Sequence, residues 1–332
     1  MNNTLNKWLI FTALLSLLLL AACGTNQENE SNDESTTDTE TSEGADSEGE
    51  AAEGEARTLT DAMGNEVTIP ANPERVIASY LEDYLVALDI TPVAQWSVRD
   101  GSDVQDYLQD SLADVPTIPS ELPYEAVMEH NPDLIIMDSA AMVEGDKYQQ
   151  YNKIAPTYVI GAEENNDWRA EFEEMGKIFG MEEKAEQVLA DYETKATDAK
   201  EQIQAAIGDE SVAALWLFAD TFYIVSENLS SGDLLYNDLG LTAPEVVKEI
   251  SAETTANWSE ISLEKLAQLE AEHIFLINQS EGSSVLEDPI WQNIPAVKNG
   301  NVYEYGQGAS WLYTGPIANS QMIDDALESL VE

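Results

Sequence analysis

An uninterrupted amphipathic stretch in the middle of the chain, Glu182–Ile207, constrains the fold more than any other feature of the sequence. Gly180 precedes this stretch and Gly208 follows it, whereas neither Gly nor Pro occurs within it. At about 1.5 Å per residue, the stretch predicts a helix roughly 39 Å long. We interpret it as a rigid connection between two lobes, although an ordinary long surface helix has the same pattern. Its apolar residues recur at spacings of three and four, as on one face of a helix: Ala185, Val188, Leu189, Tyr192, Ala196, Ala199, Ile203, Ala206 and Ile207.

The segments on either side of this helix alternate between predicted helices and predicted strands. Short apolar runs, such as LIIM at Leu134 and IFLI at Ile274, have the length of buried strands. Each of them follows a helical segment. This alternation predicts an α/β fold with mostly parallel sheets that are covered on both faces.

The two halves of the chain also resemble each other. The sequence EAVMEHNPDLII, from Glu125, aligns with EKLAQLEAEHIF, from Glu264. LDIT, from Leu88, aligns in the same way with LGLT, from Leu239. Because both pairs occur in the same order, we predict two Rossmann-like lobes. They comprise residues 57–180 and 208–332, with residues 181–207 as the linking helix.

The overall charge of the chain is strongly negative. Of its 332 residues, 64 are acidic and 14 are basic, which gives a net charge of −50. The length allows two domains with full cores. The charge argues against nucleic acid and anionic membrane surfaces as partners. It suggests a salty or alkaline habitat, where counterions screen the repulsion.

The first residues have the pattern of an export signal. Lys7 precedes an apolar run that is too short and too one-sided for a permanent transmembrane helix. The run ends in Leu-Ala-Ala-Cys, which resembles the lipobox of a bacterial lipoprotein. This resemblance implies that residues 1–22 are a signal peptide and that Cys23 carries the lipid that anchors the protein on the extracytoplasmic face of the cell membrane. The alternative is a secretory signal with a chance Cys, but Cys23 is the only Cys in the chain.

Residues 23–56 are predicted to form an acidic disordered tether. From Thr25 to Ala56 the chain contains no Lys, Arg or aromatic residue, so it cannot bury enough apolar area to fold. We interpret it as a spacer between the membrane and the folded body. An acidic interaction tail is the alternative.

The sequence does not favour an enzyme. It contains no Gly-x-Ser-x-Gly motif and no phosphate-binding Gly-rich loop after a strand. Its two His residues, His130 and His273, are separated along the chain, and no His, Asp and Glu residues have the spacing of a metal site. We therefore expect no catalytic residues, no metal site and no cofactor held by the protein.

Aromatic residues that follow predicted strands are the best candidates for ligand binding, since ligands of parallel α/β sheets bind outside the carboxyl ends of the strands. For Trp216, which lies in an apolar run, core packing is a strong alternative to ligand binding. For Trp96 and Trp311 it is a weaker alternative. Arg99 lies in a polar loop and is the best Arg for contact with acceptor oxygens, with Arg169 as the alternative. The predicted ligand-binding residues are Tyr80, Trp96, Arg99, Trp216, Tyr223, Trp311 and Tyr313.

Several motifs together resemble the substrate-binding lipoproteins of bacterial ABC importers for iron-siderophores, a family related to binders of haem and cobalamin. The resemblance implies two α/β lobes joined by one long helix, with the ligand in the cleft between them. The sequence departs from the family pattern at Asp89, where the family often has Gly. The matching motifs are IPANPERVIA, ITPVAQW, YEAVMEHNPDLIIM, YNKIAPTYVI, the linking helix, LLYNDLGLTAP, SLEKLAQLEAEHIFLI, PIWQNIPAVKNGNVYEY and WLYTGPIANSQMIDDAL.

The resemblance also implies the partners. The family docks one Glu of each lobe onto the permease, and the matching positions are Glu125 and Glu264. A siderophore fills the coordination sites of its ferric ion with its own oxygens, so the protein needs no metal ligands. Because the chain has so few cations for an anionic catecholate complex, we expect a hydroxamate siderophore. We expect a monomer that delivers this complex to an ABC permease and its ATPase.

Two alternatives remain open at this point. One is a cobalamin or haem binder with the same fold. The other is an interaction or sensor lipoprotein that carries no transported ligand.

Overall fold

The computed structural model describes residues 55–163 and 165–331, which belong to one compact unit. The predicted signal peptide, Cys23 and nearly all of the predicted tether lie outside the described residues. Within the described ranges, no helix is long and apolar enough to cross a membrane.

The N-terminal half begins with a hairpin and continues as a parallel sheet. The turn of the hairpin contains Gly64 and Asn65, as predicted, and Asp61 Oδ1 accepts hydrogen bonds from the backbone N–H groups of Met63 (3.0 Å) and Asn65 (2.8 Å). The strands are β1 (Arg57–Thr60), β2 (Glu66–Ile69), β3 (Val76–Ile77), β4 (Gln95–Ser97), β5 (Thr117–Pro119), β6 (Leu134–Ser139) and β7 (Thr157–Gly161). The order β3-β6-β7 is parallel, and so is the pair β4-β5. The backbone N–H of Val93 donates to Val76 O (2.9 Å), which places β4 beside β3.

The C-terminal half contains one mixed sheet in the order β10-β9-β8-β11-β12. Its strands are β8 (Val212–Phe218), β9 (Thr221–Val225), β10 (Trp258–Glu260), β11 (His273–Asn278) and β12 (Val302–Tyr305). β8, β11 and β12 are parallel, whereas β9 is antiparallel to both of its neighbours, β8 and β10. The two residues between β8 and β9, Ala219 and Asp220, both have positive φ angles (48° and 61°), which a tight hairpin turn requires.

Helices cover both sheets. They are α1 (Glu82–Ala87), α2 (Gln109–Leu112), α3 (Tyr124–Glu129), α4 (Lys147–Tyr151), α5 (Trp168–Phe179), α6 (Glu182–Ile207), α7 (Glu245–Ser251), α8 (Leu263–Leu266), α9 (Pro289–Gln292), α10 (Pro295–Asn299) and α11 (Pro316–Val331). A π-helical segment spans Asp233–Asp238, and short 3₁₀ turns occur at Asp106–Leu108, Ala140–Val143, Ser284–Glu287 and Ser310–Leu312.

The linking helix has the predicted bounds and is unbroken over 26 residues. It packs against α5 of the N-terminal half and against α11 of the C-terminal half. Tyr192, Ala196 and Ala199 are among its buried residues. One hydrophobic cluster continues from Phe172 of α5 through α6 to Met322 of α11, so the two halves share a core on this side.

Asp89 occupies a position that suits Gly. Its φ angle is 61°, which places it in the left-handed region where Gly has no steric penalty. Its carboxylate forms an ion pair with Lys184 of α6. The departure from the family pattern therefore changes one turn and adds a contact to the linking helix.

Candidate ligand-binding cleft

Loops from the carboxyl ends of strands in both halves meet in a cleft. Tyr80 follows β3 and lies against Tyr313, which follows β12, with ring centroids 6.0 Å apart. Arg99 follows β4, and its guanidinium carbon lies 5.7 Å from the ring centroid of Phe218 at the end of β8. Ligands of parallel α/β sheets bind at such an edge, so this cleft is the candidate site.

Four rings form what we call the aromatic cluster: Tyr80, Trp96, Tyr107 and Tyr313. Tyr80 contacts Trp96 edge-on at a centroid distance of 5.4 Å, and Tyr107 lies 5.2 Å from Tyr313. Tyr80 is 42% exposed, whereas the other three rings are half-buried. The cluster joins both halves of the molecule and presents aromatic surface to the cleft.

Tyr107 was not predicted from the sequence. It lies in the long loop after β4, whose carboxyl end also carries Arg99, and its hydroxyl donates to Asp83 Oδ2 (3.0 Å). Its position after a strand was the signal that could have identified it.

Arg99 lies at the rim of the cleft. Its side chain is 57% exposed, and its Nε lies 3.0 Å from Asp103 Oδ2. Arg99, Asp100 and Gly101 have positive φ angles of 50°, 56° and 84°. Two consecutive non-Gly residues in this region store backbone strain, which is common at ligand-binding loops. Tyr80 also has a positive φ angle, 73°.

A second aromatic group lies on the C-terminal half, opposite Arg99. Trp216 and Tyr223 are paired across β8 and β9, so their side chains share one face of the sheet, with ring centroids 5.1 Å apart. Trp216 is half-buried and stacks on Phe218 (5.3 Å). Its indole N–H donates to Gln279 Oε1 (3.1 Å). The structure therefore brings Trp216, Tyr223 and Arg99 to one end of the cleft.

Trp311 does not line the cleft, which corrects the prediction made for it. It is fully buried, stacks on Phe275 at 4.5 Å, and donates through its indole N–H to Asp325 Oδ2 (2.8 Å). The 3₁₀ turn Ser310–Leu312 directs its ring into the core. The polar neighbours of Trp311 showed that the segment is a loop but did not show which way its side chain points.

Arg169 also lies away from the aromatic cluster. Its guanidinium forms ion pairs with Glu193 of α6 (2.7 Å) and with Asp238 (2.8 Å), and it stacks over the ring of Trp168 at 4.5 Å. These contacts tie α5, α6 and the C-terminal half together. Arg169 is thus engaged in joining the two halves.

Two neighbouring cavities extend the cleft away from Arg99. The large cavity is about 1000 Å³ and lies between the loops that follow β6 and β7 and the segments after β9 and α7. The small cavity is about 300 Å³, and Tyr80 is the member of the aromatic cluster that lines it. Both cavities are lined by Asn165, Asn228 and Leu229, so they adjoin.

The large cavity and the predicted residues do not coincide. Among the described residues that line the large cavity there is no Arg, Lys or Trp, and none of the predicted ligand-binding residues. The aromatic cluster and Arg99 define the candidate site, because a cavity's size alone says nothing about what it recognises.

Buried carboxylates lie beneath the cleft. Burial raises the pKa of Glu82 to about 8. The backbone N–H of Trp96 donates a hydrogen bond to Glu82 Oε1 (2.6 Å), which acts in the opposite direction but more weakly. Burial likewise raises the pKa of Asp83 to about 6, although Ile317, Ala318 and Tyr107 all donate hydrogen bonds to it. These groups hold Trp96 and the rings above them in place.

Glu125 and Glu264 are exposed, one in each half of the molecule. Each lies in the first turn of a helix, α3 and α8 respectively, as the sequence suggested. A carboxylate at this position is favoured by the helix dipole.

Within the described residues, no group of three or more His, Cys, Asp and Glu side chains could hold a metal ion. His273 is buried and pairs with Glu210 (2.7 Å) and Tyr303 (3.0 Å) instead.

Two α/β halves, one long connecting helix and a cleft at the strand ends together define a bilobed substrate-binding protein. The chain matches the model of the periplasmic binding protein family over residues 77–309 and belongs to that family.

The relatives are binding proteins of bacterial iron uptake. The chain is 30% identical to the iron(3+)-hydroxamate-binding protein FhuD of Bacillus subtilis, over 97% of this chain and 96% of that protein. It is 27% identical to the iron(3+)-hydroxamate-binding protein YxeB of the same organism, over 98% and 97% of the two chains. Among solved structures, it resembles a FhuD-fold periplasmic binding protein component of a Fep/Fec-like ferrichrome ABC transporter from Bacillus subtilis. That match has a TM-score of 0.68 and 28% identity, and it covers 82% of this chain and 100% of the other.

Proposed function

We propose that the protein captures a ferric hydroxamate siderophore outside the cytoplasm and delivers it to the permease of an ABC importer. The observation that carries this proposal is the aromatic cluster, which joins the two halves of the molecule next to Arg99. Relatives that match nearly the whole chain are named as binders of iron(3+)-hydroxamates.

The chemistry of such a complex fits the cleft. A hydroxamate siderophore surrounds its ferric ion with its own oxygens, so the iron is cargo and the protein contacts the outer surface of the complex. Flat aromatic faces bury that surface, and the Arg99 guanidinium donates charge-assisted hydrogen bonds to the ligating oxygens. The protein itself supplies no ligand to the iron.

Charge favours a neutral or cationic complex over a catecholate. A ferric catecholate carries several negative charges, and the chain has a net charge of −50. Its field repels an anionic ligand, and Arg99 is the only Arg among the described residues that contacts the aromatic side of the cleft. A hydroxamate complex avoids this repulsion.

The proposed route of delivery has two further parts. Cys23 carries the lipid that holds the protein at the extracytoplasmic face of the membrane, with residues 23–56 as a spacer. Glu125 and Glu264 dock onto basic residues of the permease, since both are exposed and one belongs to each half.

A binding titration tests the proposal. Tryptophan fluorescence of the purified chain is followed with ferric hydroxamates, a ferric catecholate, cobalamin and haemin, and we expect saturable quenching with a hydroxamate. Quenching by cobalamin or haemin alone would contradict the proposal, and so would the absence of any ligand-dependent change.

Variants then locate the ligand. Arg99→Ala is expected to weaken binding by about 1.5–3 kcal/mol while the unfolding midpoint stays nearly unchanged, because the side chain is exposed and donates charge-assisted bonds. Tyr148→Ala, in the wall of the large cavity, is the control and should leave the affinity unchanged. If Tyr148→Ala weakens binding and Arg99→Ala does not, the ligand lies in the large cavity.

A further inference from the structure

Large apolar side chains that face the solvent are concentrated on the helices of the two exposed glutamates. Met128 is 49% exposed on α3, the helix of Glu125, and Leu263 is 44% exposed on α8, the helix of Glu264. A single exposed apolar side chain is ordinary on a protein surface, so the meaning of these two depends on how they are placed. The exposed large apolar side chains among the described residues are Met63, Tyr80, Met128, Leu263 and Val331.

On both helices the apolar side chain lies on the same side of the glutamate. Met128 follows Glu125 by three residues, and Leu263 precedes Glu264 by one. Successive residues of an α-helix are about 100° apart around its axis. Met128 is therefore displaced by about 60° from Glu125, and Leu263 by about 100° from Glu264 in the same rotational sense. Each half thus presents a carboxylate with apolar surface beside it on the same side.

The residues around the glutamates repeat the same arrangement. The alignment of the two halves at their glutamates pairs Met128 with Ala267, and Glu129 with Gln268. All four side chains are exposed. Apolar residues therefore lie on one side of the glutamate in both halves, and polar residues lie on the other side. This repeat indicates that the two halves present related surfaces to one partner.

Both helices begin on the side of the molecule where the cleft opens. α3 follows β5, which is parallel to β4, and the loop after β4 carries Arg99. α8 follows β10, which is parallel to β8 because β9 is antiparallel to both. Arg99 contacts Phe218, the last residue of β8, across the cleft. A partner that receives a ligand from the cleft therefore meets the starts of α3 and α8.

Apolar contact supplies what the two glutamates cannot supply by themselves. Exposed ion pairs guide association and choose the partner, but each adds little net affinity. A Met or Leu side chain that is buried against an apolar surface of the partner adds binding free energy without removing a charge from water. The partner that fits has a basic residue next to an apolar pocket at two positions.

A second copy of the chain is a poorer occupant of these surfaces. A symmetric contact through them would bring glutamates against glutamates, and each chain carries a net charge of −50. Repulsion between like charges opposes such a dimer.

We propose that Met128 and Leu263 are apolar anchors of the permease interface, one in each half of the molecule. This inference rests on the proposed function and extends it, since it adds to Glu125 and Glu264 the side chains that hold the docked complex together. The matching permease surface has an apolar pocket beside each of its two basic contact residues.

Polar substitution of the anchors tests the proposal. Met128→Gln and Leu263→Gln remove the apolar surface while keeping a side chain that is compatible with a helix. Uptake of radioactive iron from a ferric hydroxamate is measured in cells that make the full-length chain as their binding lipoprotein for that siderophore. We expect each variant to lower the uptake rate by at least about 5-fold, because one buried anchor is lost. The double variant should fall to the rate of cells that lack the protein.

Two further measurements separate docking from folding and from ligand binding. The siderophore affinity and the unfolding midpoint of each variant should stay close to the wild-type values, because both side chains are exposed. Val331→Gln is the matched control, since Val331 is 40% exposed at the far end of α11. It should support uptake at the wild-type rate.

The outcomes separate this proposal from the proposed function. Normal uptake by both Met128→Gln and Leu263→Gln, or an equal loss in Val331→Gln, overturns the anchors and leaves siderophore binding intact. Loss of siderophore affinity in either variant also overturns them, because it assigns the side chain to the ligand site. A wild-type dimer that either variant dissociates overturns them in favour of a second copy of the chain. Failure of the wild-type chain to bind any ferric hydroxamate overturns the proposed function and the anchors together.

Discussion

Individual residues of the cleft are positioned by buried carboxylates that the ligand need not touch. Glu82 is fully buried, accepts a hydrogen bond from the backbone N–H of Trp96, and leaves its other oxygen without a partner among the described residues. Such a group stays neutral over much of the physiological pH range because water cannot solvate its charge. Its ionisation is therefore linked to the stability of the fold.

Glu82 gives a pH-dependent prediction with a definite sign. Its pKa is about 8 in the folded chain, against an ordinary value of 4.5, so between these values the folded state holds a proton that the unfolded state has released. The stability that this proton provides is complete below pH 4.5 and is lost as the pH rises through 8, by at most about 1.4 kcal/mol per pH unit. Glu82→Gln removes this dependence and retains an acceptor for Trp96.

Urea unfolding at several pH values between 5 and 9 measures the effect. The stability of the wild-type chain should fall more steeply with pH than that of Glu82→Gln, and the two profiles should become parallel above about pH 8. Glu121→Gln, at an exposed position, should follow the wild type throughout. Parallel profiles of Glu82→Gln and wild type over the whole range would contradict the prediction.

The sequence located some of these residues and missed others for physical reasons. Tyr80 and Arg99 were predicted because each comes after a strand, whereas Trp96, which was also expected after a strand, lies within β4. Trp311 was misplaced, since loop polarity does not report the direction of a side chain. The burial of Glu82 could not be predicted from the sequence, because only tertiary packing removes its carboxylate from water.

Secondary-structure elements were predicted best where a regular pattern of apolar residues continues over many positions. The sequence predicts helices over Trp168–Phe179 and Glu182–Ile207 and strands over Val212–Phe218, Thr221–Val225 and Val302–Tyr305. The bounds of α5, α6, β8, β9 and β12 agree with these predictions. The sequence predicts a helix over residues 263–269, whereas α8 ends after a single turn at Leu266. The three-residue strands β5 and β10 carry too little periodicity to be recognised.

A hydrogen-bonded contact between α1 and α11 joins the two halves and could not be predicted from local sequence. The two oxygens of Asp83, on α1, accept hydrogen bonds from the backbone N–H groups of Ile317 (3.0 Å) and Ala318 (2.8 Å), in the first turn of α11. A carboxylate from the N-terminal half therefore caps a 16-residue helix of the C-terminal half. This cap fixes the separation of the halves beside the aromatic cluster.

Gly315→Ala is expected to disrupt this cap. The φ angle of Gly315 is 152°, and a Cβ atom there would lie 2.5 Å from the carboxyl carbon of Asp83. We expect the free energy of unfolding to fall by about 1–3 kcal/mol. Thermal or urea unfolding measures this loss. Gly306→Ala, where a Cβ atom would meet nothing within 4 Å, is the control and should change stability by less than about 0.5 kcal/mol. A stable Gly315→Ala variant would show that the cap tolerates displacement.

At the scale of the whole molecule, the contacts argue for a nearly rigid body. The halves share α6, a continuous hydrophobic cluster, the Asp83 cap and the ion pairs of Arg169. Bending a continuous helix breaks its backbone hydrogen bonds, so α6 resists hinge motion better than extended strands would. Small-angle scattering profiles of the free and the siderophore-loaded chain should therefore nearly superimpose. A clear compaction on loading would show that the cleft closes by a large lobe motion.

The rigid spacing of the halves also affects how Glu125 and Glu264 would dock on a permease. Each carboxylate is exposed at the start of a helix, where the dipole alone would favour it by a few tenths of a kcal/mol. Docking on a permease requires that both engage at once. Two weak exposed ion pairs made by one rigid body reinforce each other through effective concentration, and both are lost when one fails.

Charge reversal at these positions separates docking from a structural role. Glu125→Arg and Glu264→Arg should each bind the siderophore normally and unfold at nearly the wild-type temperature, because neither side chain is buried, yet each should fail to support uptake of radioactive iron by cells. Glu129→Arg, exposed at the other end of α3, is the control and should transport normally. Reversal of the matching permease Arg to Glu should restore part of the uptake, since it re-forms the ion pair in the opposite sense. Normal transport by both Glu125→Arg and Glu264→Arg would reduce the two glutamates to helix-start residues and would place the permease contact elsewhere on the surface.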